Sequence, residues 1–151
     1  MNKAHYLRLG AMAVLSFIAM YILMYSMVNV FTNVYSNLNQ FYMAGLMAAP
    51  MVLIEIALMS GMYPNKKWNA LIIMATLVLF VLFWIGIRRQ VGIGDRQFLK
   101  SMIPHHAGAI LMCEEASITD PEIKQLCQEI ISSQQREINQ MKSKLNTLAT
   151  K

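Results

Sequence analysis

Between Leu9 and Ile87 the chain carries only three formal charges, Glu55, Lys66 and Lys67, and this scarcity constrains the fold more than any motif does. An ordinary soluble domain has about a quarter of its residues charged. This chain of 151 residues has 14% charged and 56% apolar. Leu9 to Phe31 is free of charge, and at about 1.5 Å per residue such a run crosses a hydrocarbon core of about 30 Å. Phe41 to Tyr63 and Trp68 to Ile87 have the same character, so the pattern predicts three spans, residues 9–31, 41–63 and 68–87. Lys3 and Arg8 ahead of the first run could open a secretory signal. The run is longer than the usual 7–15 residues, roughly, of a signal's apolar region and no small-x-small site follows, so it reads as an uncleaved anchor.

The link between the first two spans, Thr32 to Gln40, is uncharged, whereas Pro64-Asn65-Lys66-Lys67 joins the second and third. Positive loops stay in the cytoplasm, which puts the N-terminus inside and the C-terminal segment outside. Arg88-Arg89 argues the other way. Glu55 falls mid-span, where an ionised carboxylate costs a few kcal/mol or more, roughly, so it is protonated, paired or turned to a polar cavity. Met43, Met47, Met51 and Met59 recur at steps of four around it. Thioethers are soft ligands suited to Cu(I), but methionine is also an adaptable packing residue, and both readings stand.

Composition changes near residue 90, dividing the chain into a membrane anchor, 1–89, and a C-terminal domain, 90–151. Seven basic and seven acidic residues balance over 95–151, so the net charge of +5 does not mark a nucleic-acid binder. Asp95 stands where a helix N-cap belongs, and Phe98, Met102, His105, Ala109, Met112 and Ala116 recur at helical spacing. Pro104 is expected to kink that helix just before the histidines. Thr119-Asp120-Pro121 reads as a turn and a new helix start, with Pro121 at the first helical position. The second helix carries the stripe Ile123, Leu126, Ile130, Gln134, Ile138, Met141, Leu145 and Leu148. An antiparallel fold-back about residues 119–121 sets Cys113 level with Cys127 and His106 level with Gln134, with Glu137 nearby. A hairpin this small needs partners. Two hairpins docked by their stripes would form a four-helix bundle, so a homo-oligomer is expected.

The histidines and methionines gather donors that suit copper better than Mg or Ca, which want all-oxygen shells. From spacing alone the competing reading is structural, with two histidines satisfied by Gln134 and Glu137 and methionines filling the core. Cys113 and Cys127 would form a bridge in an oxidising compartment, would be thiols and Cu(I) ligands in a reducing one, or are inert. No nucleophile with an orienting third group can be assigned, so binding is expected and catalysis is not.

The stretch Asp95-Arg96-Gln97-Phe98-Leu99-Lys100-Ser101-Met102-Ile103-Pro104-His105-His106-Ala107-Gly108-Ala109-Ile110-Leu111-Met112 resembles the domain of unknown function 305 family. So does Ile130-Ile131-Ser132-Ser133-Gln134-Gln135-Arg136-Glu137-Ile138-Asn139-Gln140-Met141. The resemblance implies an all-α, ferritin-like bundle linked to copper or heavy-metal handling in bacterial envelopes, and the three spans resemble a membrane-bound branch. It carries metal-ligand candidacy onto Met102, His105, His106, Met112, Glu137 and Met141, with Asp95 and Gln134 as signature positions; the chemistry of Cys113, Cys127 and Glu55, apart from the resemblance, makes them possible additions. Ser143-Lys144-Leu145 departs from the family's usual Trp-Leu at that end. The expectation is a multi-pass protein of a bacterial inner (plasma) membrane, its C-terminal domain periplasmic, binding copper in metal homeostasis or resistance. Its expected partners are the lipid bilayer, further copies of itself and an envelope metal-handling protein. The alternatives are a helical interaction module without metal and an accessory regulator of a transporter working through Glu55.

Overall fold

The computed structural model describes residues 3–149. It is all-helical among those residues: α1 Lys3–Leu23, α2 Leu38–Leu58, α3 Lys66–Arg88, α4 Asp95–Glu115 and α5 Pro121–Ala149. The first three are long and apolar enough to cross a membrane. The chain divides into two compact units, one comprising α1 through Met24 and the stretch Asn39–Val91, the other Tyr25–Leu38 and the described residues from Gly92 onward.

Hydropathy located the three long apolar helices but not their ends. Regular α1 stops at Leu23 and is followed by two short 3-10 turns, Met24–Met27 and Phe31–Asn33. The run beyond Leu23 is rich in Val, Asn, Ser and Thr, all weaker helix formers. Asn29 also offers its side-chain oxygen to the Val30 amide at 2.9 Å and to the Asn33 amide group at 2.9 Å, local bonds that compete with helix. α2 stops at Leu58, just ahead of Ser60 and Gly61. Glu55 is therefore in the last turn of α2 and not mid-span, and it accepts a hydrogen bond from the Tyr63 hydroxyl at 3.1 Å. α3 starts at the Asn65 cap, whose side chain accepts from the Lys67 and Trp68 amides. At its other end Gln90 adopts φ 49°, and the Val91 and Gln90 amides donate back to Gly86 and Ile87. This is a Schellman closure with glutamine in the left-handed position that glycine usually fills. The Gln90 amide offsets part of that strain through paired bonds with Asn39 at 2.9 and 3.2 Å. Gly45 is required by close approach, because a Cβ there would overlap the Phe83 ring.

In the second unit, α4 and α5 pack as an antiparallel hairpin. Its core is Ile103, Ala107 and Ile110 of α4 with Ile138 and Leu145 of α5, flanked by Leu99, Ile131 and Met141. The α1–α2 link joins this core through Val28 and Tyr35. Gly108 permits that contact, since a Cβ there would stand 3.3 Å from the Met27 carbonyl. The Tyr25 hydroxyl donates to the Tyr35 carbonyl at 2.8 Å, and the Leu38 amide donates to the Gln97 side chain at 3.0 Å. What reads as an uncharged linker is thus part of the hairpin's fold.

The buried face of α4 is one residue away from the stripe expected of it. Leu99, Ile103, Ala107 and Ile110 point inward, whereas Phe98 and Met112 are 50% and 54% exposed and His105 is exposed as well. One residue turns the helix by about 100°. α4 is continuous through Pro104. Asp95 is its first residue and Gly94 the cap, so the carboxylate sits in the first turn, where the helix dipole favours it.

The fold-back occurs where expected. Cys113 and Cys127 are joined by a disulfide, with Cα atoms 5.2 Å apart, so in this oxidised form neither offers a thiolate. Asp120 caps α5, its carboxylate accepting from the Glu122 and Ile123 amides at 2.9 and 3.1 Å. Removing such a cap costs about 1 kcal/mol. Asp120→Ala therefore lowers the opening free energy of the α5 N-terminal amides by about that amount, measured by hydrogen exchange on the full chain.

Candidate metal centre

α4 and α5 leave between them a groove of about 370 Å³ lined by Phe98, Leu99, Met102, His106, Glu137, Gln140, Met141 and Lys144. Met102 and His106 are four apart on α4, and Glu137 and Met141 four apart on α5, spacings that put each pair on one face. His106 is the inward histidine, only 8% exposed, and the Ile103 and Ala107 packing fixes the turn that carries it.

The ring of His106 is held at both nitrogens. Nδ1 lies 2.8 Å from the Met102 carbonyl oxygen. A carbonyl only accepts, so Nδ1 carries the hydrogen and a neutral ring has its lone pair on Nε2. That nitrogen stands 2.7 Å from Oε2 of Glu137. An ionised carboxylate is also an acceptor only. At 2.7 Å the two atoms are at hydrogen-bonding distance, so a metal bound at Nε2 would have to displace this contact. The carboxylate is half exposed, so the groove is reachable from water.

Four of the six residues singled out from the sequence, Met102, His106, Glu137 and Met141, meet in this groove. His105 and Met112 face outward and do not. Gln134, expected level with His106, is half-buried one turn earlier on α5, and Glu137 meets the ring instead. Asp95 at the start of α4 and the disulfide near the fold-back are not among the residues lining the groove, and Glu55 belongs to the other unit. Gln140 and Lys144 were not anticipated, although they follow Glu137 by three and seven residues, the spacing of a shared face. Lys144 belongs to the stretch that departs from the family pattern, and it brings a cation to the groove's rim. Among the described residues no cluster of three or more His, Cys, Asp or Glu side chains is placed to hold an ion. The thioethers of Met102 and Met141 are further candidate donors in the groove.

Residues 87–145 match the family described as Domain of unknown function (DUF305). The Uncharacterized protein L153 of Acanthamoeba polyphaga mimivirus is 38% identical over 138 residues, covering 89% of each chain. The chain belongs to the DUF305 family. The viral alignment is much longer than the hairpin, so the likeness extends into the apolar helices. No solved structure matches.

Proposed function

We propose that this DUF305 protein is a membrane-anchored metal-binding protein whose hairpin groove holds copper(I), serving metal homeostasis or resistance. The observation that carries the reading is the His106 ring. The Met102 carbonyl fixes Nδ1–H, which leaves Nε2 aimed at a carboxylate with two thioether residues lining the same groove. A histidine fixed through one nitrogen is the usual arrangement around a bound metal, which would take Nε2 in place of its Glu137 contact. Of the candidate donors, Met102 and Met141 would supply soft sulfur, His106 nitrogen and Glu137 the compensating negative charge. Soft sulfur with imidazole favours Cu(I), whereas Mg and Ca want oxygen shells and structural zinc wants four thiolate or imidazole ligands.

The proposed topology places α1, α2 and α3 across an inner (plasma) membrane with Lys66 and Lys67 in the cytoplasm. Three crossings put the α1–α2 link and the hairpin on the same side by parity, and the packing of Val28 and Tyr35 into the hairpin core supports it. An outer, oxidising compartment also agrees with the disulfide.

The test is anaerobic titration of the full chain in detergent with Cu(I) against a chromophoric chelator. The full chain is used because residues 25–38 belong to the hairpin's unit. The expected result is competition by about one Cu(I) per chain, the number a single four-donor groove accommodates. A chain that never competes with the chelator rejects the copper reading. The half-exposed Phe98, Met112, Ile123 and Leu126 favour a second reading, a helical interaction module in which further copies cover these residues. Self-association without copper uptake would support it.

A further inference from the structure

We propose that the slot between α1, α2 and α3 holds one acyl chain of an anionic phospholipid, with its headgroup at the end marked by Lys66 and Lys67. The slot is about 670 Å³. Packed protein interiors leave few voids larger than a water molecule, and ligand sites run from about 300 to 1,000 Å³. On α3 its lining extends from Trp68 to Phe83. At about 1.5 Å per residue that is a length of roughly 22 Å, more than one leaflet of a core about 30 Å thick.

Volume and length accommodate one extended acyl chain, and the charge at one end favours an anionic lipid. A slot of 670 Å³ over that length averages roughly 30 Å² in cross-section, room for a polymethylene chain. The lining is apolar except where Tyr6, Trp68 and Thr76 contribute polar atoms. It is also open on the α1 side, since a Cβ built on Gly10 would have nothing within 4 Å.

One end of the slot is polar and positively charged. The Tyr6 hydroxyl bonds the Asn69 side chain at 2.8 Å and the Asn65 carbonyl at 3.4 Å, so the starts of α1 and α3 are level. Lys66 and Lys67 directly precede Trp68, and with Arg8 they are exposed without a carboxylate partner among the described residues. Glu55, the unit's own carboxylate, is engaged by Tyr63. An anionic headgroup would complement this end, as basic clusters between spans do for anionic lipids.

The inference is independent of copper and rests on the three helices being inserted in a bilayer. The full chain is reconstituted into nanodiscs of mixed phosphatidylglycerol and phosphatidylcholine, released into mild detergent and weighed by native mass spectrometry. The expected result is one retained phosphatidylglycerol per chain, favoured over phosphatidylcholine by at least about fivefold, the ratio expected of one lysine near an anionic surface. Gly10→Phe fills the slot where no atom stands in the way, and should abolish retention while leaving the circular dichroism spectrum unchanged. Lys66→Gln/Lys67→Gln should keep a lipid but lose the preference. Equal retention in Gly10→Phe overturns the proposal, as does a cross-linked dimer that Gly10→Phe disperses, which would identify a second copy as the occupant. Failure of the wild-type chain to enter the discs overturns both this inference and the membrane reading.

Discussion

Replacing His106 by alanine should lower the chain's affinity for Cu(I) by at least about 100-fold, whereas His105→Ala should change it by about twofold at most. The first figure follows because loss of groups merely supporting a ligand costs about 10- to 100-fold, and His106 is the proposed ligand itself. The second is the ordinary scale of a surface substitution, here at an exposed side chain turned away from the groove. Glu137→Gln tests whether the carboxylate supplies the compensating charge for a cation at His106. A glutamine amide can donate to the Nε2 lone pair, so the His106 contact persists in a neutral site that has lost its anion. The expected outcome is an intact fold with Cu(I) affinity reduced by about tenfold or more, the scale of a lost electrostatic supporter. Competition titrations on the three variants, with hydrogen exchange as the fold control, decide it. Equal loss in His105→Ala and His106→Ala would mean that the inward and outward histidines play no distinct parts.

The hairpin's ends and register were legible because they obey local rules. Pro121 after Asp120 fixes a helix start, and an antiparallel return from that point brings Cys113 to Cys127. The choice of inward histidine was not legible. α4 has two apolar stripes one residue apart, Phe98-Met102-Met112 and Leu99-Ile103-Ala107-Ile110, and periodicity measures spacing without choosing between such phases. The choice is made by non-local contacts, including those of Val28 and Tyr35. Nothing in the composition of residues 25–38 announces that they cover the hairpin. Glu55 falls in the last turn of α2 for a related reason: an uncharged run fixes how much chain a membrane can hide and not where the helix inside it stops. Ser60, Gly61 and Pro64 were the available signals.

Ile138→Ala should destabilise the hairpin by about 3 kcal/mol, within the range of about 2–5 found for Ile-to-Ala changes at fully buried sites. Ile138 is completely buried and belongs to the cluster formed with Ile103, Ala107, Ile110 and Leu145. Three of these are held on a continuous helix and Leu99 and Met141 close the flank, so the lost volume would remain in part as a cavity. Ile123 and Leu126 belong to the same sequence stripe of α5 but are 49% and 53% exposed. Their truncation should cost less than about 1 kcal/mol, because only a fraction of their apolar surface is withdrawn from water. The comparison is made by amide exchange of α4 and α5 in the full chain, where the opening free energy reads the hairpin separately from α1, α2 and α3. Ile138 also lies beside Glu137, so a loosened hairpin should blur the His106 contact and weaken Cu(I) binding even though Ile138 offers no ligand. A large cost at Ile123 or Leu126 matching that at Ile138 would show that partners cover those positions, and would move the energetic centre of the hairpin from its own core to an interface between copies.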